Sequence, residues 1–381
     1  MKVAVLGYGV VGYGVHEMLK IADGLEAGPV LVRPGKVDAD FKRCNIDEIV
    51  NDPEVSVVAE VMGGIEPAYS YVKKALLAGK HVVSSNKALV AAHGIELAQL
   101  AHERGLAFLF SAACGGAVPF LHNIALAVKS DRISRLGGIL NGTTNYMLDS
   151  MQRRGLDYSE ALKQAQQLGY AEADPTADVS GLDALRKIML ACAAAYGKLP
   201  VKGLCYEGIE ALTAEDVKDL QSRGLCCRLL AKGGVCVSGI YAYVEPVLFG
   251  PGSPECSVLD NNNMAYYIGD NSGRIVLMGQ GAGRWPTASA VLRDLSSIQQ
   301  GARSMFSPLC EEASADNSSA ENCYYVRLDK CSADGLPHSE RSDSGDVTRL
   351  ISKPLPVSQM HAFASKIREE GGKIFFAAID K

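Results

Sequence analysis

The sequence has no long hydrophobic run: no apolar stretch reaches the roughly 20 residues that a membrane-spanning helix requires. Its eleven cysteines include no C-x-x-C pair and no His–Cys spacing typical of zinc sites. The N-terminus lacks the basic segment and cleavage site of a signal peptide. These absences predict a cytoplasmic protein without a membrane span, whose cysteines are free thiols used as small buried residues.

Neither sign of charge is in large excess over the other. The net charge is −5 at pH 7, which argues against nucleic acid as the main partner. Apolar residues make up 48% and charged residues 21%, as in ordinary globular proteins. A chain of 381 residues exceeds one simple core and predicts two or three domains.

A glycine pattern opens the chain. Residues 3–14 read VAVLGYGVVGYG, so an apolar strand enters Gly7-x-Gly9-x-x-Gly12 and a helix follows through Val10 and Val11. Gly7 allows the tight turn, Gly9 lets the backbone approach a pyrophosphate, and Gly12 lets the helix pack closely. The helix N-terminus offers free N–H groups to phosphate. A glycine-rich turn without a ligand is the alternative.

The alternation of elements continues after this motif. Further strands are predicted over 30–32, 55–61, 81–83 and 107–110, with helices over 68–78 and 93–104. This pattern is typical of a parallel sheet. We therefore predict an α/β fold with a Rossmann-type dinucleotide-binding domain.

The end of the second strand reads LVRPGK. An NAD site normally places Asp or Glu there for the ribose hydroxyls, whereas Arg33, with Lys36 nearby, suits a 2′-phosphate. The sequence therefore favours NADP over NAD. A solvated arginine is the alternative.

A second block joins NGTTNYML (141–148) to LGYAEADPTADVSGLDALRK (168–187). A helix beginning near Ser180 would place Asp183 and Lys187 on one face. The carboxylate could hold a substrate amino group, and the lysine could give a proton to an alkoxide, particularly if burial lowers its pKa. Two alternatives are a capping box from Ser180 to Asp183 and a surface ion pair worth about 0.2–0.5 kcal/mol.

Together with VMGGIEPA (61–68), SSNKALVA (84–91) and GQGAGRWPTASAVLRDL (279–295), these segments resemble homoserine dehydrogenase from residue 3 to about residue 305. The resemblance implies reversible reduction of L-aspartate 4-semialdehyde to L-homoserine with NAD(P)H, in threonine, methionine and isoleucine biosynthesis. It also implies a homodimer, with strands at 241–247 and 264–268 as candidates for the interface.

The same resemblance implies roles for individual residues. Lys187 would donate the proton, and Lys87, near nicotinamide and substrate, could polarise the carbonyl or share the transfer. Homoserine contacts would come from Glu172 and Asp183, with Thr143, Tyr170 and Asp178 lining the region. The cofactor positions would be Gly7, Gly9, Val10, Val11, Gly12, Arg33, Gly63, Ser84, Lys87, Gly169 and Gly281. A solvated loop lysine at 87 and a close-packed turn at 281 are the alternatives.

One departure concerns a monovalent cation site. The family usually has glutamate at the position of Ser111, and the backbone carbonyls of the site would belong to Cys114, Gly116 and Val118. Serine removes the negative charge, and neutral oxygens alone should bind a hard cation more weakly. We therefore expect no strong sodium or potassium requirement.

The C-terminus is the second departure. Residues 311–322 look like a polar linker, followed by a strand over 324–328, a polar stretch, a helix over 357–370 and a strand over 374–379. Many family members carry a βαββαβ sensing module of the ACT type here. We predict a small α+β, divergent ACT-like module. Threonine control and a purely structural role are both open.

The predicted organisation is therefore a dinucleotide-binding domain over 1–125, rejoined by about 283–305, a catalytic and dimerising α/β domain over 126–282, and the C-terminal module over 311–381. Two rival functions remain. One is an oxidoreductase acting on another amino-acid semialdehyde or an imino acid, and the other is a non-catalytic amino-acid sensor.

Overall fold

The computed structural model describes residues 1–307 and 309–380, which form two compact units. The first contains Met1–Arg132, Met189–Leu199 and Gly279–Glu311, and the second contains Ile133–Ile188, Pro200–Met278 and the residues from Glu312 onward. Both units combine sheet and helix, so the predicted α/β class is confirmed.

Up to residue 132, strands and helices alternate around one sheet of six parallel strands. The elements are β1 (Lys2–Leu6), α1 (Val10–Leu19), β2 (Glu26–Leu31), β3 (Lys42–Arg43), α2 (Ile46–Val50), β4 (Val55–Glu60), α3 (Ala68–Leu77), β5 (His81–Ser84), α4 (Lys87–Glu103), β6 (Phe108–Leu109), a 3-10 turn (Ser111–Ala113) and α5 (Phe120–Ala127).

The strand order is β3-β2-β1-β4-β5-β6. The strands at its centre are apolar almost throughout, because helices cover both faces of such a sheet; Val3, Ala4, Val5 and Leu6 of β1 are all 0% exposed. This order reverses between β1 and β4, which leaves a crevice outside their carboxyl ends where dinucleotides bind in folds of this type. The predicted dinucleotide-binding domain is therefore confirmed.

Two details of this unit differ from the sequence predictions. Helix α4 begins at Lys87 instead of residue 93, because the Asn86 side chain caps it by accepting from Leu89 N at 3.1 Å. The short β3 and α2 were not predicted, since elements of two and five residues carry too little periodicity to be recognised.

The chain then builds a largely antiparallel sheet. Its elements up to residue 299 are β7 (Ile133–Ile139), α6 (Gly142–Arg154), α7 (Tyr158–Gln167), α8 (Thr176–Val179), α9 (Leu182–Tyr196), β8 (Lys198–Lys202), β9 (Cys205–Tyr206), α10 (Ala214–Ser222), β10 (Cys226–Cys236), β11 (Gly239–Phe249), a 3-10 turn (Pro254–Ser257), β12 (Asn262–Gly269), β13 (Gly273–Gln280) and α11 (Arg284–Gln299).

The remaining elements are β14 (Glu311–Ser314), β15 (Glu321–Asp329), β16 (His338–Ser344), β17 (Val347–Ser352), β18 (Leu355–Pro356), α12 (Val357–Glu369) and β19 (Lys373–Ile379). Most of them extend the sheet of the second unit, whose order is β13-β12-β7-β10-β11-β19-β15-β17-β16. β19 runs parallel to β11, with Val247 opposite Ala378. Without the short strands β14 and β18, the tail is a β-β-β-α-β arrangement, one helix short of the βαββαβ pattern of the ACT type.

The linker predicted over 311–322 is wrong. β14 pairs with β8, and Asn317 is buried, with its amide donating to Gly203 O and Ala242 O at 2.8 and 2.9 Å. Most polar side chains of this stretch are exposed, but Asn317 is buried and binds backbone groups, so a polar composition excluded neither a strand nor a buried amide.

The cysteines are all thiols. The predicted use as small buried residues holds for Cys114, Cys192, Cys227 and Cys310, while Cys44 is exposed and the other six are partly exposed. Within residues 1–307 and 309–380, no helix combines the length and apolarity needed to cross a membrane.

Candidate active site

The glycine turn between β1 and α1 is shaped for a phosphate group. Gly7 has φ +103°, and a Cβ on Gly12 would lie 2.0 Å from Gly7 O, so both positions require glycine. A Cβ on Gly9 would meet no atom within 4 Å. Val10 and Val11 form the first turn of α1, whose N-cap Gly9 supplies no side-chain cap. Open space thus faces a helix N-terminus, which fits a pyrophosphate.

Basic side chains follow β2 directly. Lys36 N donates to Arg33 O at 3.1 Å, so Arg33 and Lys36 stand at the two ends of a tight turn, and both are exposed. No acidic residue occupies residues 32–36, where an NAD site would have one. The turn can therefore present a guanidinium to a 2′-phosphate.

Three predicted cofactor residues lie at the carboxyl ends of β4 and β5. Gly63 follows β4 with φ +82°, Ser84 ends β5, and Lys87 is the first residue of α4. Ser84 is buried, and its hydroxyl donates to Glu60 at 2.6 Å. Ser84 therefore holds the strand end, and the predicted loop position of Lys87 becomes a helix N-terminus.

Two of the four positions predicted for a cation site, Ser111 and Val118, already make hydrogen bonds within the protein. The Ser111 hydroxyl donates to Asp294, Val118 O accepts from Phe120 N at 2.8 Å, and the Arg293 guanidinium donates to Ala117 O at 3.0 Å. The loop has no carboxylate at 111, and α11 brings both a basic side chain, Arg293, and an acidic one, Asp294, to it. Gly281 lies against Gly116, where a Cβ would be 2.5 Å from Gly281 O, in line with the close-packed turn.

Asp294 of α11 is fully buried and ties this loop to the helix. Its carboxylate accepts from the Ser111 N–H at 2.7 Å and from the Ser111 hydroxyl. Burial raises the pKa of Asp294 from the usual 3.8 to about 7, against the opposing effects of the Ser111 hydrogen bonds and the Arg293 charge. The ionised form is therefore costly in the folded state.

Asp294→Asn is expected to stabilise the protein at alkaline pH. Because the pKa of Asp294 is higher in the folded chain than in the unfolded chain, its contribution to stability is greatest below pH 3.8 and is lost as the pH rises to about 7. This rise in pKa corresponds to a loss of on the order of 4 kcal/mol in the free energy of unfolding when the carboxylate is ionised. The melting temperature of the variant should exceed that of wild type by more at pH 8.5 than at pH 5.

The matched control is Asp23→Asn, which removes an exposed carboxylate from the same unit. The difference in melting temperature between this variant and wild type should be the same at pH 5 and at pH 8.5. A constant difference for Asp294→Asn as well would contradict the assigned cost of burying its charge.

In the second unit, Lys187 and Asp183 form a buried ion pair. The Lys187 Nζ lies 2.8 Å from Asp183 Oδ2 and donates to Leu140 O at 2.6 Å, and the two residues are 8% and 2% exposed. The alternative of a surface ion pair is therefore wrong. The capping box is also wrong, because α9 begins at Leu182 and Ser180 is the C-cap residue of α8. An ammonium fixed by a carboxylate and a carbonyl can serve as a positioned proton donor.

Asn141 joins the carboxylates of this cluster. Its Nδ2 donates to Asp178 Oδ1 at 2.7 Å and to Asp183 Oδ2 at 2.9 Å, while its Oδ1 caps α6 by accepting from Thr144 N at 2.8 Å. The Thr143 hydroxyl donates to Tyr170 O at 2.6 Å and lies 3.3 Å from Asp178 Oδ2. Thr143, Tyr170, Asp178, Asp183 and Lys187 are thus brought together.

Two predicted residues stand apart from these hydrogen bonds. The side chain of Glu172 is exposed, and its backbone carbonyl accepts from Gln166 Nε2 at 3.2 Å. Gly169 follows α7 with φ +75° and gives the chain the turn that leads to Tyr170. The structure therefore does not bring the Glu172 side chain into the hydrogen bonds of this cluster.

Comparison with known proteins gives the family. A homoserine dehydrogenase model matches residues 119–296, and a model for the NAD-binding domain of homoserine dehydrogenase matches residues 7–111. The homoserine dehydrogenase of Synechocystis sp. is 37% identical over 316 residues, which cover 78% of this chain and 73% of that protein. The chain belongs to the homoserine dehydrogenase family. The Pseudomonas aeruginosa enzyme is 33% identical over 86% of this chain and 81% of its own.

Solved homoserine dehydrogenases share the fold. The enzyme from Thiobacillus denitrificans matches with a TM-score of 0.88 at 30% identity, covering 100% of this chain and 98% of its own. A hyperthermophilic archaeal homoserine dehydrogenase in complex with NADPH matches with a TM-score of 0.66 at 25% identity, over 78% of this chain and 97% of its own.

Two buried polar residues with several hydrogen bonds, Asn141 and Glu60, were not predicted from the sequence of this homoserine dehydrogenase. Asn141 was read only as part of NGTTNYML, although an Asn three residues before Thr144 is a helix N-cap signal. Glu60 closes an otherwise apolar strand, VSVVAE, and a charge at the end of a buried strand is itself a signal of a polar role.

Proposed function

We propose that the protein reversibly reduces L-aspartate 4-semialdehyde to L-homoserine with a nicotinamide dinucleotide as hydride source. The observation that carries this proposal is the buried Lys187–Asp183 pair in a chain that also has an open glycine turn between β1 and α1. Membership of the homoserine dehydrogenase family supports the substrate.

Different residues would donate the proton, position the donor and bind the substrate. The reduced cofactor, when bound, supplies a hydride to the aldehyde carbon. The Lys187 ammonium gives a proton to the carbonyl oxygen as negative charge develops there, so the aldehyde becomes an alcohol. Asp183 and Leu140 O keep Nζ in place. Asp183, together with the exposed Glu172, can hold the substrate ammonium, and Lys87 can polarise the carbonyl.

We propose a preference for NADPH over NADH. The turn after β2 offers Arg33 and Lys36 and no carboxylate, which suits a 2′-phosphate. The archaeal relative solved with NADPH is consistent with this choice.

Arg33→Ala is expected to raise KM for NADPH while leaving KM for NADH nearly unchanged. A charge-assisted contact to phosphate is worth about 1.5–3 kcal/mol, or about tenfold to a hundredfold in affinity. Steady-state kinetics with both cofactors checks this. Arg104→Ala, at the far end of α4, is the control and should change neither KM. An equal rise in both KM values would mean that Arg33 does not bind the 2′-phosphate of NADPH.

We also propose that activity needs no sodium or potassium, because Ser111 carries no charge and its hydroxyl already donates to Asp294.

We further propose that the protein is a homodimer. Tyr243, Lys232, Gly137 and Tyr266 form one cross-strand row beside a cavity of about 490 Å³, and the edge strand β13 exposes Val276 and Met278. Exposed apolar side chains such as Val276 and Met278 are typical of a protein interface.

The decisive experiment measures oxidation of NADPH and of NADH by wild type with L-aspartate 4-semialdehyde, with tetramethylammonium replacing sodium and potassium in one arm. Turnover in both arms is expected. Turnover only with another semialdehyde or an imino acid would favour the rival oxidoreductase. Amino-acid binding without turnover on any of these would favour the sensor.

A further inference from the structure

Glu60 is a buried carboxylate that the reaction described above does not use. It is the last residue of β4, at the crevice between β1 and β4, and is 0% exposed. A buried charge costs several kcal/mol unless hydrogen bonds compensate it. A residue retained at such a cost calls for an account of what it holds.

Hydrogen-bond donors surround this carboxylate. Met62 N donates to Oε1 at 2.8 Å, and the Ser84 hydroxyl donates to Oε2 at 2.6 Å. Asn86 Nδ2 approaches Oε1 at 3.5 Å, and the Gly63 backbone contributes a further hydrogen bond. Asn86 N donates to Ser84 Oγ at 3.1 Å, so the hydroxyl proton of Ser84 points to Glu60. Burial raises the pKa of Glu60, while these donors act to lower it.

The donors belong to two segments at the strand ends. Met62 and Gly63 begin the loop after β4, and this loop continues through Gly64, whose carbonyl accepts from Asn86 Nδ2. Asn86 in turn caps α4, whose first residue is Lys87. One carboxylate therefore links the loop after β4 to the helix start after β5.

We propose that Glu60 is a positioning residue for the nicotinamide end of the cofactor, holding the Met62–Gly64 backbone and the Asn86–Lys87 helix start in their binding geometry. This rests on the proposed use of a nicotinamide cofactor. In folds with this strand order, dinucleotides cross the crevice at the β1/β4 reversal, so the loop after β4 lies beside the bound molecule. A small displacement of this loop would lower both the affinity for the cofactor and the rate of hydride transfer.

The test compares Glu60→Gln with wild type. Glutamine keeps the size but replaces one acceptor oxygen with a donor, which then faces other donors. We expect the Kd for NADPH, measured by fluorescence titration without substrate, to rise about tenfold or more, and kcat to fall. KM for L-aspartate 4-semialdehyde should stay within about twofold of wild type, because the substrate cluster is untouched.

Asp294→Asn is the matched control, since it also neutralises a fully buried carboxylate of the first unit. It should leave the Kd for NADPH unchanged. If Glu60→Gln lowers the melting temperature but binds NADPH like wild type, Glu60 is only structural and the proposal fails.

Asn86→Asp provides a second route if Glu60→Gln folds poorly. Aspartate still caps α4 but no longer donates to Glu60 or to Gly64 O, so the same loss of NADPH affinity is expected. Wild-type affinity in this variant would overturn the proposal. Because both Kd measurements omit the semialdehyde, they separate failure of this inference from failure of the proposed substrate.

Discussion

Lys187→Ala is expected to lower kcat by about 10²- to 10⁴-fold, the usual contribution of a positioned proton donor. The ammonium is held by Asp183 Oδ2 and Leu140 O at 2.8 and 2.6 Å, and alanine removes the donor altogether. The rate of the reduction, followed by cofactor oxidation at saturating substrate, measures the loss. KM for the semialdehyde should change less than kcat.

Removing one partner of a buried ion pair also destabilises a protein by about 3–5 kcal/mol, so folding must be checked separately. Lys187→Ala/Asp183→Asn removes both charges and should be as inactive as the single variant while melting at a higher temperature. Lys163→Ala, on the exposed side of α7, is the control and should retain wild-type kcat. Near-normal kcat in Lys187→Ala would move the proton-donor role to Lys87.

Gly9→Ala and Gly12→Ala are expected to fail in different ways. Gly9 has φ −80° and ψ −155°, which alanine adopts easily, and its Cβ would meet no protein atom within 4 Å. The variant should melt like wild type, yet its methyl group would enter the space proposed for the pyrophosphate. We expect the Kd for NADPH to rise about a hundredfold.

At Gly12 the added Cβ would lie 2.0 Å from Gly7 O, a backbone atom that cannot move without opening the turn. This variant should lose both stability and cofactor binding. Gly250→Ala, whose Cβ also meets nothing within 4 Å, is the control and should change neither melting nor NADPH affinity. If Gly9→Ala binds NADPH normally, the glycine turn is not the phosphate site.

The parallel sheet could be predicted because its strands are buried on both faces and read as continuous apolar runs, such as VAVL in β1. The same reasoning failed for the tail. β16 reads HSERSDS because an edge strand exposed on both faces needs no apolar residue, and its charges discourage pairing with another chain. Composition therefore describes the exposure of a strand and does not show whether the strand exists.

The candidate site, too, could be predicted only in part from the sequence. The i,i+4 spacing predicted that Asp183 and Lys187 share a face, but spacing could not tell a buried pair from a surface pair. Burial depends on residues distant in sequence, such as Leu140, whose carbonyl receives the lysine. For the same reason Glu60 and Asn141 stayed hidden, since their partners come from other strands and helices. Threonine control by the tail stays a prediction.

The parallel pairing of β19 with β11 determines what kind of appendage the C-terminal tail is. A tethered regulatory domain can be cut away and leave its enzyme whole. Here the last strand supplies the hydrogen-bonding neighbour of β11, whose Val247, Leu248 and Phe249 belong to the interior. Deleting the tail would leave Val247 and Leu248 of β11 without their neighbours in β19. The tail is therefore an integral part of the sheet and not a separable domain. Any ligand-induced change in the tail would reach β11 through the sheet itself.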